Sequence, residues 1–151
     1  MIRHHMRQPV NTSRLPKFWR PKLAPEKIST CQIVHRDLVT RFTDGTATRD
    51  DLWDWMETGF TYSQMMRLLH EDGERFTDEA EACLARQLAI YPDVSARFRR
   101  TGRVGLSGPE LQIAKDAADV MDALIAMDRH GIAERAALWS TRQMEKLRRL
   151  I

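Results

Sequence analysis

GPELQIAKDAADVMDALIAMDRH, residues 108–130, is the stretch whose reading decides the fold. Leu111, Ala114, Ala118, Met121, Leu124 and Ile125 recur at steps of three and four, which gathers them on one face of an α-helix but scatters them over both faces of a strand. Gly108-Pro109 suits a helix start, because a first-turn proline lacks only an N–H that has no helical partner anyway. The pattern predicts a long helix reaching His130-Gly131.

The same period extends outward. Ala136, Leu138, Trp139, Met144, Leu147 and Leu150 predict a closing helix from Ile132 to the end of the chain. Upstream, Ile28, Cys31, Val34, Leu38 and Phe42 predict a first helix from about Pro25 to Thr43, with Asp44-Gly45 as its stop. Thr48 with Asp51 resembles a capping box and opens a short helix through Leu52, Trp53, Trp55 and Met56 that ends near Gly59. Thr61 with Gln64 repeats the signal for a third helix, which stops near Gly73. Thr77 caps a fourth that Pro92 ends, since a residue before proline avoids the helical region. No stretch alternates as a strand does. The expectation is an all-α, bundle-like domain of about six helices over residues 25–151, four short and two longer. Residues 1–24, with Pro9, Pro16 and Pro21 and no sustained period, read as an irregular basic arm.

A chain of 151 residues is enough for one core. It has no apolar run long enough to span a membrane and no apolar N-terminal segment to act as a signal peptide, so the expected compartment is the cytoplasm. Cys31 and Cys83 fall on apolar helix stripes, where cysteine behaves as a small buried hydrophobe rather than a disulfide partner or zinc ligand. No metal or other cofactor is called for.

The charge is polarised along the chain. Residues 1–24 hold six basic side chains and no acid, whereas residues 44–81 hold eleven acids against three arginines, a net −8. Basic residues concentrate again at Arg97, Arg99, Arg100 and Arg103, and at Arg142, Lys146, Arg148 and Arg149. Catalytic patterns are absent. His35-Arg36-Asp37-Leu38 spells the catalytic tetrapeptide of protein kinases, but Phe42 stands where the metal-holding asparagine is required and the letters lie inside a helix. His4-His5 lack a third ligand, and His70 and His130 suit helix C-termini. The expected protein is not an enzyme.

Two segments carry the binding expectations. The loop from Arg97 to Gly108 combines Arg97, Arg99, Arg100, Arg103 and Ser107 with three glycines at the head of a helix, a composition suited to phosphate or carboxylate. Lys17-Phe18-Trp19-Arg20 interleaves aromatic and basic side chains: Lys17 and Arg20 can meet phosphates while Trp19 stacks on a base. Equally, these aromatics can anchor the arm on the core and its positive charge can lie against the acidic middle. Trp53 and Trp55 cannot share one face of a straight helix, so either one of them faces a protein partner or a short helix hides both.

HRDLVTRFTDGTATRDDLWDWMETGFTYSQMMRLL (residues 35–69) and RRTGRVGLSGPELQIAKDAADVMDALIAMDRHGIAERAALWS (residues 99–140) resemble small uncharacterised proteobacterial proteins of phages, plasmids and integrated elements. The resemblance spans about half of the chain and implies an accessory protein of mobile DNA. Some of these proteins are similar to Fis-type regulators near the C-terminus, and Arg135-Ala136-Ala137-Leu138 leading to Lys146-Leu147-Arg148-Arg149 shares that character of a helix-turn-helix. Ser140-Thr141-Arg142 supplies no glycine turn, so one continuous helix explains the same letters. The leading expectation is a noncatalytic binding protein that contacts nucleic acid or a nucleoprotein through the arm and the arginine loop. The alternative is a protein-interaction module, such as an inhibitor of a host defence complex, that uses the acidic region 44–81 or an exposed tryptophan.

Overall fold

The computed structural model describes residues 22–150 and is all-helical there, with no strand. Five helices follow one another: α1 (Pro25–Asp44), α2 (Arg49–Glu71), α3 (Asp78–Thr101), α4 (Gly108–Ala126) and α5 (Ile132–Leu150). Short loops reverse the chain between them, so helix ends collect at two poles. α2 is the central element, packed on α1, α3, α4 and most extensively on α5.

The starts expected at Thr48, Thr77 and Gly108-Pro109 are present. Thr48 and Asp51 form a reciprocal capping box, Thr77 accepts the Ala80 N–H, and Ser107 forms a second box with Glu110. Each satisfies N–H groups that have no partner within the helix. Gly45 at φ 73° and Gly102 at φ 70° end α1 and α3 in the left-handed region, where a side chain would be strained.

Three boundaries differ from the expectation, each through a tertiary contact. The predicted second and third helices are one, because Gly59 lies inside α2 as a point of close approach. A Cβ there would stand 1.8 Å from the Tyr91 hydroxyl of α3. That hydroxyl donates to the Trp55 carbonyl at 3.0 Å and accepts from Gln87 Nε2 at 2.8 Å, so the missing side chain makes room for a buried interhelical bond. Thr61 is accordingly no cap: its hydroxyl lies within the helix, bonded to the Glu57 carbonyl and paired with Ser140 of α5 at 2.5 Å.

α3 runs through Pro92 to Thr101. Pro92 is exposed, so the Leu88 carbonyl that loses its helical donor can turn to solvent, while its neighbours Tyr91 and Val94 are buried and hold the helix on course. α4 stops at Ala126, short of His130, because Asp128 is drawn into another role. Its buried carboxylate accepts the Ala133 N–H at the head of α5 and the Leu23 N–H at 2.8 Å, tying the entry of the chain to the α4–α5 turn. α5 is uninterrupted, which sets aside the helix-turn-helix reading of its letters.

Two apolar clusters follow from this arrangement. One contains Leu23, Cys31, Tyr62, Leu69, Leu84, Leu124 and Ile132, where α2 and α4 end and α3 and α5 begin. The other contains Leu38, Phe42, Trp55, Tyr91, Val94, Ala114 and Met144, with Phe98, Val104, Leu106 and Leu147 packed against it. The 23 residues of α2 extend roughly 35 Å at 1.5 Å each, so the acidic run of residues 44–81 is divided between the poles. Asp44, Asp50 and Asp51 stand at one and Glu71, Glu74 and Asp78 at the other; they do not form one acidic face.

Candidate functional site

The loop between α3 and α4 is firmly built. Val104 and Leu106 pack on the second apolar cluster, which fixes the path of residues 102–107. Arg97 turns inward: its Nη2 reaches Glu110 Oε1 at 2.5 Å and the Gly105 carbonyl at 3.0 Å. Glu110 also accepts the Ser107 N–H at 2.8 Å, while the Ser107 hydroxyl accepts the Glu110 N–H. Burial alone would raise the Glu110 carboxyl, but Arg97 and the Ser107 bonds outweigh it and hold the group below its ordinary value. A carboxylate of the chain itself therefore occupies the head of α4. Arg97 and Ser107, expected as anion ligands, are engaged in this scaffold instead.

What the scaffold presents outward is Arg99, Arg100 and Arg103, all exposed. The last turns of α5 add Lys146, Arg148 and Arg149, also exposed. Arg99 and Leu147 line the same groove, so the two basic runs, far apart in the chain, meet at one pole. No ion pair involves any of these six side chains among the described residues. Lys17, Trp19 and Arg20 lie outside the described residues.

The two tryptophans separate cleanly. Trp55 is buried at 2% exposure and packs edge-to-face on Phe42 and Tyr91, at centroid distances of 5.4 and 4.8 Å. It belongs to the core and not to a partner surface. Trp53 is half-buried in a groove of about 380 Å³ between α2 and α3, with Met56, Phe60, Leu88, Tyr91, Pro92 and Leu147 around it. A smaller extension of about 90 Å³ continues past Trp53 to Arg49, Leu52 and Phe98. Sequence reasoning found Trp53 but missed Phe60, Pro92 and Leu147, whose shared surface depends on which helices become neighbours. Pro92 read in the sequence only as a helix end.

The tetrapeptide at residues 35–38 has a different use. His35, 3% exposed, lies between helices: Nε2 meets Asp122 Oδ1 of α4 at 2.6 Å and Nδ1 faces the Tyr62 hydroxyl of α2 at 3.4 Å. Burial lowers the imidazole's proton affinity below its ordinary value, against the opposing pull of Asp122. The neutral ring then donates from Nε2 and accepts at Nδ1, tying three helices together. Arg36 binds both Asp119 and Asp122 at the surface. A wider groove of about 470 Å³ passes this pair between α1 and α4, but the Thr40 and Thr43 hydroxyls on its wall bond to carbonyls of their own helix. No cluster of three or more metal-ligating side chains occurs among the described residues, and no helix there is long and apolar enough to cross a membrane.

Compared with known protein families, curated proteins and solved structures, the chain matches none. The basic pole with its tryptophan groove is thus the candidate site on geometry alone.

Proposed function

We propose that the protein is a noncatalytic binding protein that contacts nucleic acid or a nucleoprotein through its basic pole. The observation that carries this reading is the meeting of Arg99, Arg100 and Arg103 with Lys146, Arg148 and Arg149 beside Trp53, without ion-pair partners among the described residues. Unpaired guanidinium and ammonium groups on a rigid surface suit phosphates, whose binding releases counterions. The resemblance of its sequence to mobile-element proteins supplies the setting of an accessory or regulatory role on mobile DNA. The division of the acidic run between two poles removes the single negative face that a nucleic-acid mimic needs, and so favours this reading over its alternative.

Binding of generic DNA and RNA to the full chain, measured at several salt concentrations, tests the proposal. The affinity is expected to fall steeply with salt. Changing Arg100, Arg103, Arg148 and Arg149 together to Ala should flatten the dependence of log K on log salt by about 0.9 for each lost phosphate contact on duplex DNA. Absence of binding at low salt, or an unchanged slope in the variant, defeats it.

A further inference from the structure

The apolar groove beside these arginines is a poor match for phosphates, and its shape points to a second kind of ligand. Trp53 and Phe60, both half-buried, form a ridge along α2 over the buried Met56, at steps of three and four, faced by Leu88, Pro92 and Ser95 along α3. The ridge covers roughly 10 Å, two helical turns, which is the span of apolar anchors at i, i+3 or i+4, and i+7 of an incoming helix. Leu88 and Pro92 on the wall and the buried Met56 beneath suit apolar side chains, as do the rings of Trp53 and Phe60.

Charge selects the partner. Arg49 and Arg99 close the groove where it narrows past Trp53, and neither forms an ion pair among the described residues. Asp50, Asp54 and Glu57 occupy a neighbouring stripe of α2 at steps of four and three, and Glu57 of that stripe accepts a hydrogen bond from Thr141 of α5. We infer that the groove docks an acidic amphipathic helix of a partner protein, with its apolar face against Trp53 and Phe60 and its carboxylates on Arg49 and Arg99. The inference rests on the reading of this pole as a binding surface, but not on phosphate recognition.

Selection of random sixteen-residue peptides displayed against the full chain tests it, with the double variant Arg49→Glu/Arg99→Glu as the counter-selection. Both arginines are exposed, so the variant keeps the fold, which circular dichroism checks. Enriched peptides are expected to be net negative with apolar residues at helical spacing. They should shift the Trp53 indole N–H resonance and bind the double variant at least tenfold more weakly, while Arg100, Arg103, Arg148 and Arg149 changed to Ala leave binding within a few-fold. Failure to enrich, enrichment of neutral or basic peptides, or equal affinity for the double variant overturns the inference. So does a Trp53 resonance that moves with protein concentration or with an oligonucleotide and not with the peptides. Loss of nucleic-acid binding in the quadruple variant, scored separately, addresses only the phosphate reading.

Discussion

The two poles of the bundle treat charge in opposite ways. Where α4 turns into α5, charges meet across elements: Arg129 binds Asp72 at 2.8 Å and Glu74 at 2.7 Å, His130 Nδ1 reaches Asp72 at 3.1 Å, and Asp128 holds two backbone N–H groups. At the other pole Arg97 is paired with Glu110 and Arg41 with Asp51, yet the outer arginines and the α5 lysine are left without ion pairs among the described residues. The apolar surfaces follow suit. Leu69 is fully buried at the first pole, whereas Leu147 lines an open groove at the second. At one pole charges pair across elements; at the other, apolar surface and positive charge stand side by side.

The largest effect that would sharpen this contrast comes from truncating one leucine at each pole. Leu69→Ala should reduce unfolding free energy by roughly 4 kcal/mol, and Leu147→Ala by roughly 1 kcal/mol, because only the first leaves a closed cavity. Equal losses in urea denaturation would break the comparison. A smaller effect separates scaffold from surface within the basic pole. Arg97→Ala should lower stability by about 1 kcal/mol through the lost bonds to Glu110 and Gly105, with nucleic-acid affinity nearly unchanged. Reduced affinity with unchanged stability would return Arg97 to the binding surface.

The gentlest perturbation is of pH, and it reads the interior near the closed pole. His35 takes up a proton less readily folded than unfolded, because burial lowers its affinity below the ordinary value of 6.5. The unfolded chain therefore binds the proton first. The stability that rests on a neutral His35 is complete above pH 6.5 and is lost as the pH falls below it toward the folded-state value. His35→Gln offers an amide Nε2 to Asp122 without titrating, and denaturation curves should show a shallower decline for it over that interval. Parallel declines would show that His35 is not the group responsible.

Local signals were legible wherever the chemistry is local. Thr48-Asp51 and Thr77 cap helices as their letters imply, and the start read from Gly108-Pro109 is in place, since a cap is made within four residues. Gly59 and Thr61 misled for the opposite reason: both resemble boundary residues, but one accommodates Tyr91 and the other pairs with Ser140, partners 32 and 79 positions away. Arg97 and Ser107 read in the sequence as anion ligands, whereas in the structure both bond to Glu110 and brace the start of α4.

By itself, then, the sequence determined the all-helical fold of the described residues and basic concentrations in three places, because periodicity, caps and charge are properties of neighbouring residues. Only the tertiary structure decided which arginines remain unpaired, that Trp55 is core while Trp53 faces a groove, and that the acidic run is split between poles. Those outcomes depend on which helices pack together and over what length. A 23-residue helix carries its two ends too far apart for any local pattern to show which charges will meet.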